Sequence, residues 1–166
     1  MEYLDIVNGK NQIIGRATRA EIYEKRLPHR IVHVFVMNPK TKEIYLQKRS
    51  DNVQYLPSYY CTSAGGHVLS GESYKDAARR ELNEEIGLNA SVEKVGEMEF
   101  VLNGHKRFIE LFIAYANYEF KFLDREVISG EFLNFEKVND LIEKREKIHP
   151  QLEFCFKWLR ENTKIF

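Results

Sequence analysis

Glu81, Glu84 and Glu85 crowd one short stretch, GGHVLSGESYKDAARRELNEEIGL, which spans residues 65–88. On a helix, residues three and four apart lie on one face, so these carboxylates would stand side by side. Each like-charge pair would cost roughly 0.2–0.5 kcal/mol, and the negative end of the helix dipole adds to that cost. A solvated acidic face softened by neighbouring arginines explains the pattern, and so does a site where carboxylate oxygens converge on Mg²⁺ or Mn²⁺. Spacing alone leaves both explanations open.

The segment SYKDAARRELNEEIG predicts the helix that positions these glutamates. Ser73 is suited to cap its start, with Asp76 three residues later in a variant of the capping box. Gly87 is suited to end it, because glycine adopts the left-handed conformation common just after a helix. The glutamates would then occupy the last turns of this helix.

Strand signals dominate the rest of the chain. Two short strands are predicted around Asn8-Gly9, further strands in IVHVFVMN, EIYLQKRS and GEFLNF, and a hairpin around Asn103-Gly104. Short helices are predicted in ATRAEIYEKR, FEKVNDLIEKREK and PQLEFCFKWLRENTK, whereas DNVQYLPSYYCTSAGG reads as an aromatic loop. This mixture predicts a layered α/β domain.

Composition limits the classes of partner. The chain has 166 residues with 25 basic and 25 acidic side chains, so no net charge favours a nucleic acid polymer or an anionic membrane. No apolar run approaches the roughly 20 residues of a membrane span. Cys61 and Cys155 lie far apart without metal-ligand spacing, which suits buried thiols in a reducing cytoplasm. We expect a cytoplasmic protein with a small-molecule substrate, and a homodimer remains open.

The glutamate stretch also fits a longer pattern, G-x5-E-x7-R-E-U-x-E-E-x-G-U, where U is a bulky aliphatic residue. Every defined position is filled: Gly66, Glu72, Arg80, Glu81, Leu82, Glu84, Glu85, Gly87 and Leu88. The stretch therefore resembles the Nudix box. The resemblance implies an α/β/α sandwich with a mixed sheet and a loop–helix–loop, here a single domain over residues 1–166 with a short N-terminal β extension.

The resemblance also implies an activity, which is hydrolysis within the diphosphate of a nucleoside diphosphate derivative or a related small organic diphosphate. By match of position, Glu81, Glu84 and Glu85 would hold Mg²⁺, and either Glu81 or Glu85 would deprotonate the attacking water. Bound metal would neutralise diphosphate charge and lower the pKa of that water.

The remaining box residues would support this site. Glu72 and Arg80 would orient the ligands, while Gly66 and Gly87 would supply backbone freedom. Glu126 is the preferred extra carboxylate from outside the box. Glu110 and Glu131 are weaker alternatives for that role.

The flanking segments RLPHRIVHVFVMN, EIYLQKRS and LPSYYCTSAGGHVLSGES resemble the isopentenyl-diphosphate isomerase branch of the same superfamily. His29 and His67 match two metal-binding histidines of those isomerases. The isomerase cysteine, however, is replaced by Gly65, and the earlier isomerase histidine has no counterpart near Ile22 or Tyr23. Because isomerisation needs positioned acid and base groups at carbon, we expect a hydrolase of isomerase-like sequence.

Further residues are candidate substrate contacts, each with an ordinary structural explanation as well. They are His29, Lys48, Arg49, Tyr59 and His67. Strand-end bases are commonly just solvated, and aromatic side chains mostly pack in the core. Two other functions stay open at this point: isomerase-like proton transfer, and a non-catalytic domain that senses a nucleotide.

Overall fold

The computed structural model describes residues 1–117, 120–122 and 125–165. Its strands are β1 Tyr3–Val7, β2 Ile13–Thr18, β3 His29–Met37, β4 Ile44–Arg49, β5 Tyr60–Cys61, β6 Ala64–His67, β7 Glu93–Leu102, β8 His105–Tyr115 and β9 Val127–Leu133. Its helices are α1 Arg19–Glu24, α2 Tyr74–Ile86, α3 Phe135–Glu143 and α4 Pro150–Asn162. Among the described residues, no helix has the length and apolar character needed to cross a membrane.

The central sheet is mixed. Strands β3 and β8 run parallel in its middle, with His29 opposite Arg107 at one end and Met37 opposite Tyr115 at the other. Strand β7 pairs antiparallel with β8 through a tight turn at Asn103, where φ is positive as a hairpin turn requires. Strands β4 and β6 both pair antiparallel with β3, and β9 lies beside β4.

Helices cover both faces of this sheet. Alternate residues of β3 supply two cores, because neighbouring side chains on a strand point to opposite faces. Phe35 packs in the core that includes Phe156 of α4, whereas Val34 packs in the core that includes Leu82 of α2. Burying each such side chain contributes about 1.5–3 kcal/mol. The predicted α/β/α sandwich is confirmed.

Helix α2 begins and ends at the predicted residues. The Ser73 side chain accepts a hydrogen bond from the backbone N–H of Asp76, and Gly87 ends the helix with φ +68°. The N–H of Gly87 donates to the carbonyl of Asn83 at 3.0 Å. The apolar side of α2 is buried against the sheet, so the helix presents its glutamates along one edge of the fold.

The segment expected to be an aromatic loop differs from that prediction, since it contains β5 and β6. In β6, Gly65 and Gly66 pair with His33 and Val32 of β3. Two adjacent glycines have low strand propensity, so this strand depends on its partner rather than on its own sequence.

The N-terminal residues form a separate two-stranded sheet, β1 with β2, above a small core of Leu4, Ala17 and Ile22. Helix α1 follows directly. Thr18 caps it reciprocally with Glu21, each side chain accepting a hydrogen bond from the other residue's backbone N–H. This short helix thereby holds a fixed place beside the first strand of the central sheet.

Candidate active site

A wide cleft of about 910 Å³ opens along β6 and the end of α2. Gly66 lies against Glu81 so closely that a Cβ atom at this position would collide with the carboxylate. A glycine is therefore required here by close approach rather than by an unusual backbone angle. The sequence predicted that Gly66 supplies backbone freedom, whereas the structure shows that it makes room for the Glu81 carboxylate.

Arg80 gathers the acidic residues of the stretch. Its guanidinium donates to both oxygens of Glu72 at 2.8 and 3.0 Å, to Glu81 at 2.7 Å and to Glu84 at 3.2 Å. It also donates to the backbone carbonyl of His67 at 2.9 Å. The planar fork of arginine suits such multiple contacts, and it explains how three carboxylates share one edge of the fold.

Glu81 is the carboxylate most affected by burial. Its side chain is only 12% exposed, and burial raises the pKa of Glu81 to about 7 despite the opposing effect of Arg80. The charges of Glu84 and Glu126 raise this pKa further. Glu81 therefore changes its protonation state near neutral pH in the metal-free protein.

Glu85 is held differently. Its Oε2 accepts hydrogen bonds from the side-chain amide of Gln47 at 2.6 Å and from the backbone N–H of Gly65 at 3.2 Å. Both Gln47 and Glu85 are buried. Two N–H donors on one carboxylate fix its orientation and stabilise its charged form.

Glu126, immediately before β9, lines the cleft and affects the pKa of Glu81. The two alternatives lie elsewhere: Glu110 forms an ion pair with Lys94 at 2.8 Å, and Glu131 pairs with β4 within the sheet. The placement favours Glu126 as the extra carboxylate.

The donor set fits a hard divalent cation. Glu81, Glu84 and Glu85 offer carboxylate oxygens, the ligands that Mg²⁺ prefers, and burial leaves Glu81 with a charge in need of compensation. Among the described residues, no three acidic, histidine or cysteine side chains are already arranged around a metal position. The reason is local: Arg80 contacts two of these carboxylates and Gln47 contacts the third.

Tyr23, His67 and His105 line the cleft beyond β6, and the buried His29 packs behind them; we call these four residues the histidine wall. The Tyr23 hydroxyl lies 2.7 Å from Nε2 of His67, and the rings of His29 and His67 stack with centroids 5.4 Å apart. Nδ1 of His29 and Nε2 of His105 both donate to the carbonyl of Leu27, at 3.0 and 2.9 Å.

Two rings of the histidine wall, His29 and His67, are uncharged at neutral pH. Burial lowers the pKa of His29 to about 4 and that of His67 to about 3, and Arg19 and Arg107 lower both further. Nε2 of His29 is buried and has no hydrogen-bond partner among the described residues. The sequence matched His29 and His67 to metal-binding histidines, but the two neighbouring guanidinium groups oppose a cation here.

The predicted substrate contacts are only partly brought together. His67 and Arg49 line the cleft, and His29 lies behind His67. Lys48 and Tyr59 are not among its lining residues; the Lys48 ammonium lies 5.9 Å from the centre of the neighbouring Tyr60 ring.

Sequence reasoning missed several residues that line the cleft: Tyr23, Gln47, His105 and Arg107. No local pattern identifies them, because they reach the cleft through α1, β4 and β8. The one available signal for His105 and Arg107 was their position just after the Asn103-Gly104 turn.

The position of the isomerase cysteine is closely packed. A Cβ atom on Gly65 would lie 2.6 Å from Nδ1 of His33. His33 is buried, and its ring nitrogens lie 2.7 Å from the Thr62 hydroxyl and 2.8 Å from the Gln151 amide oxygen. A side chain at Gly65 would require this imidazole to move.

Sequence comparison identifies the family of this chain. A model of the NUDIX domain matches residues 27–154. An uncharacterized Nudix hydrolase from Nostoc sp. is 41% identical over 93 residues, which are 55% of this chain and 54% of that protein. The chain spans about half the length of the curated relatives it matches.

Two solved structures share the fold. A protein from Deinococcus radiodurans superposes with a TM-score of 0.83 and 23% identity, covering 98% of this chain and 100% of that one. The MutT protein from Methanosarcina mazei Go1 superposes with a TM-score of 0.67 and 26% identity, covering 82% of this chain and 96% of that one.

Proposed function

This chain belongs to the NUDIX domain family, and we propose that it is a metal-dependent pyrophosphohydrolase. The proposed substrate is a nucleoside diphosphate derivative or a related small organic diphosphate, cut within the diphosphate. One observation carries the proposal: Glu81, Glu84, Glu85 and Glu126 all line the same open cleft. We call this set the acidic wall.

Mg²⁺, held by Glu81, Glu84 and Glu85, would neutralise the diphosphate, orient it and lower the pKa of bound water. The protein's own part is to keep these carboxylates in place. Arg80 holds Glu81 and Glu84, and the amide of Gln47 with the N–H of Gly65 holds Glu85.

Within this set, we assign the acceptance of a proton from water to Glu81. A general base must lie within reach of the attacking water, and Glu81 lines the open cleft with its carboxylate fixed by Arg80 at 2.7 Å. Glu85, with two N–H donors on one oxygen, is suited to remain a charged ligand.

A substrate panel tests the proposal. Purified protein would be incubated with nucleoside diphosphate sugars, dinucleotides, nucleoside triphosphates and prenyl diphosphates, in Mg²⁺ and in EDTA. We expect release of phosphate or a mononucleotide that requires Mg²⁺ and is abolished by Glu85→Gln. Glu161→Gln, an exposed glutamate in the last turn of α4, is the matched control. Full turnover by a folded Glu85→Gln variant would contradict the proposal, and nucleotide binding without turnover would indicate a sensor.

We also propose that the chain is an isomerase-like Nudix hydrolase rather than an isomerase. His29 and His67, the two matched positions, lie in one cluster, but the cysteine position is a glycine packed against His33. Incubation with isopentenyl diphosphate in heavy water should give no deuterium incorporation. Incorporation above the level of a boiled sample would identify an isomerase.

A further inference from the structure

We propose that Arg19 and Arg107 bind a second anionic group of the substrate, a phosphoryl or carboxylate group that lies beyond the diphosphate served by the acidic wall. This inference rests on the proposed hydrolase function and adds the substrate class. The preferred substrate then carries at least one more negative group than a diphosphate linked to a neutral sugar.

The first support is an imbalance of partners among the arginines of the cleft. Arg80 forms ion pairs with three glutamates. Among the residues that the structure describes, Arg19 and Arg107 form no ion pair with an acidic side chain, although both line the cleft. Glu2 lines this end of the cleft as well, without pairing with either. Arg26 and Arg49 also line the cleft without an ion pair among these residues, so several guanidinium groups face the cleft without a carboxylate partner.

The second support is that neighbouring groups hold the Arg107 side chain in place. It is half-buried, its guanidinium lies 5.8 Å from the centre of the Tyr23 ring, and it donates to the carbonyl of His105 at 3.3 Å. Its backbone pairs with His29 at one end of the parallel β3–β8 pairing. Most of the five N–H donors of its side chain have no partner among the described residues, and a planar fork suits phosphate or carboxylate oxygens.

The third support is the electrostatic state of the surroundings. The positive charge of Arg107 disfavours protonation of the buried imidazoles of His29, His67 and His149. Because these rings are neutral, they supply no negative charge to Arg107, and a bound anion would supply it.

The geometry of β6 links this site to the proposed chemistry. Gly65 and Gly66 contact Glu85 and Glu81, and the next residue, His67, belongs to the histidine wall. A substrate whose diphosphate lies at the acidic wall would therefore extend its next group toward Tyr23 and Arg107. The cleft volume of about 910 Å³ accommodates a nucleotide-sized molecule of this kind.

The first experiment needs neither metal nor turnover. Calorimetry with inorganic pyrophosphate, in EDTA at about 0.15 M salt to screen weak surface contacts, would compare wild type with Arg107→Gln and Arg19→Gln. We expect each variant to weaken binding roughly 10-fold or more, the loss typical of a hydrogen bond to a charged group. Glu81→Gln should not weaken it, and amide NMR spectra should show the largest shifts in α1 and at the start of β8.

The matched control is Arg16→Gln. Arg16 is an exposed arginine 5.3 Å from the ring centre of Tyr3, so it has the same type of aromatic contact but lies outside the lining of the cleft. Absence of pyrophosphate binding to wild type in EDTA would overturn the proposal. Equal weakening by Arg16→Gln, or wild-type binding by both folded cleft variants, would also overturn it.

The second experiment measures KM. Arg107→Gln should raise the KM for a nucleoside triphosphate at least about 10-fold more than the KM for a nucleoside diphosphate linked to a neutral sugar. An equal rise for both substrates would overturn the assignment to a second anionic group. If no substrate is hydrolysed by wild type while the calorimetric result holds, the hydrolase function fails and the anion site remains.

Discussion

The acidic wall and the histidine wall share one cleft but manage charge in opposite ways. In the acidic wall, Arg80 binds Glu81 and Glu84, and burial raises the pKa of Glu81 to about 7. In the histidine wall, buried rings stay neutral while the nearby arginines have no ion pair among the described residues. This difference is the basis for our two proposals, that the acidic wall binds a cation and transfers a proton and that the arginines beside the histidine wall bind negative groups.

The largest expected effect is on kcat, which should fall when the acidic wall is changed and not when the histidine wall is changed. Glu81→Gln removes the proposed proton acceptor and should lower kcat by roughly 10²–10⁴-fold, the usual worth of general acid–base catalysis. His67→Gln should act mainly on KM, because His67 would hold Tyr23 rather than take part in proton transfer. Steady-state kinetics in Mg²⁺ measures both, and a larger loss of kcat in His67→Gln than in Glu81→Gln would remove the distinction.

A backbone change tests whether the acidic wall depends on close approach. Gly66→Ala should displace the Glu81 carboxylate and lower the affinity for Mn²⁺ by roughly 10–100-fold, as losses of ligand-orienting contacts do. Gly9→Ala, where no atom lies within 4 Å of the added methyl, is the control. Metal titration followed by calorimetry is the measurement. Unchanged Mn²⁺ affinity in Gly66→Ala would show that Glu81 is not a ligand.

The pH dependence of stability should have opposite signs in the two walls. Folding raises the pKa of Glu81 to about 7, so the folded state takes up this proton first and gains stability as pH falls from 7 to 4.5. Folding lowers the pKa of His29 to about 4, so the unfolded state is protonated first and stability falls between pH 6.5 and 4. Each effect should be on the order of 1–3 kcal/mol.

Urea unfolding in EDTA measures these effects. Relative to wild type, Glu81→Gln should lose stability as pH falls, and His29→Gln should gain it. Parallel pH curves for wild type and both variants would mean that neither group shifts its pKa on folding.

The smallest expected effect compares the helix caps of the two walls. Ser73→Ala and Thr18→Ala each remove a side-chain cap and should cost about 1 kcal/mol of stability. Only the first lies on the helix that carries the acidic wall, so only Ser73→Ala should weaken Mn²⁺ binding. Thr18→Ala should instead weaken pyrophosphate binding in EDTA, because α1 carries Arg19 and Tyr23. Weaker pyrophosphate binding in Ser73→Ala together with weaker Mn²⁺ binding in Thr18→Ala would contradict the assignment of the walls.

The two walls also differ in how far the sequence predicts them. Three residues of the acidic wall, Glu81, Glu84 and Glu85, lie on one capped helix, so their types, spacing and orientation follow from local rules that hold for α2. The histidine wall draws Tyr23 from α1, His29 from β3, His67 from β6 and His105 from β8. These residues meet because β3 pairs with both β8 and β6, contacts that join distant parts of the chain and leave no local pattern.

The same contrast between local pattern and long-range contact explains which strands of the sheet were predicted and which were missed. The hydrophobic alternation in β3, β4 and β8 predicted strands correctly, since each buries apolar side chains. Strand β6 was missed because glycine has low strand propensity. Its two glycines are needed for another reason, the close contacts with Glu81 and His33. Glu126 was predicted from its position at the head of β9, and the structure places it in the cleft.

Strand β6 has a further consequence, for how this protein can change over evolutionary time. Its residues 65, 66 and 67 touch Glu85, Glu81 and Tyr23 in turn, so a substitution there disturbs both walls together. New substrate preferences are therefore expected to arise through the tip of the β7–β8 hairpin and through α1, which border only one wall. Comparing natural variants should show diversity at those two places and near-invariance along the strand between the walls.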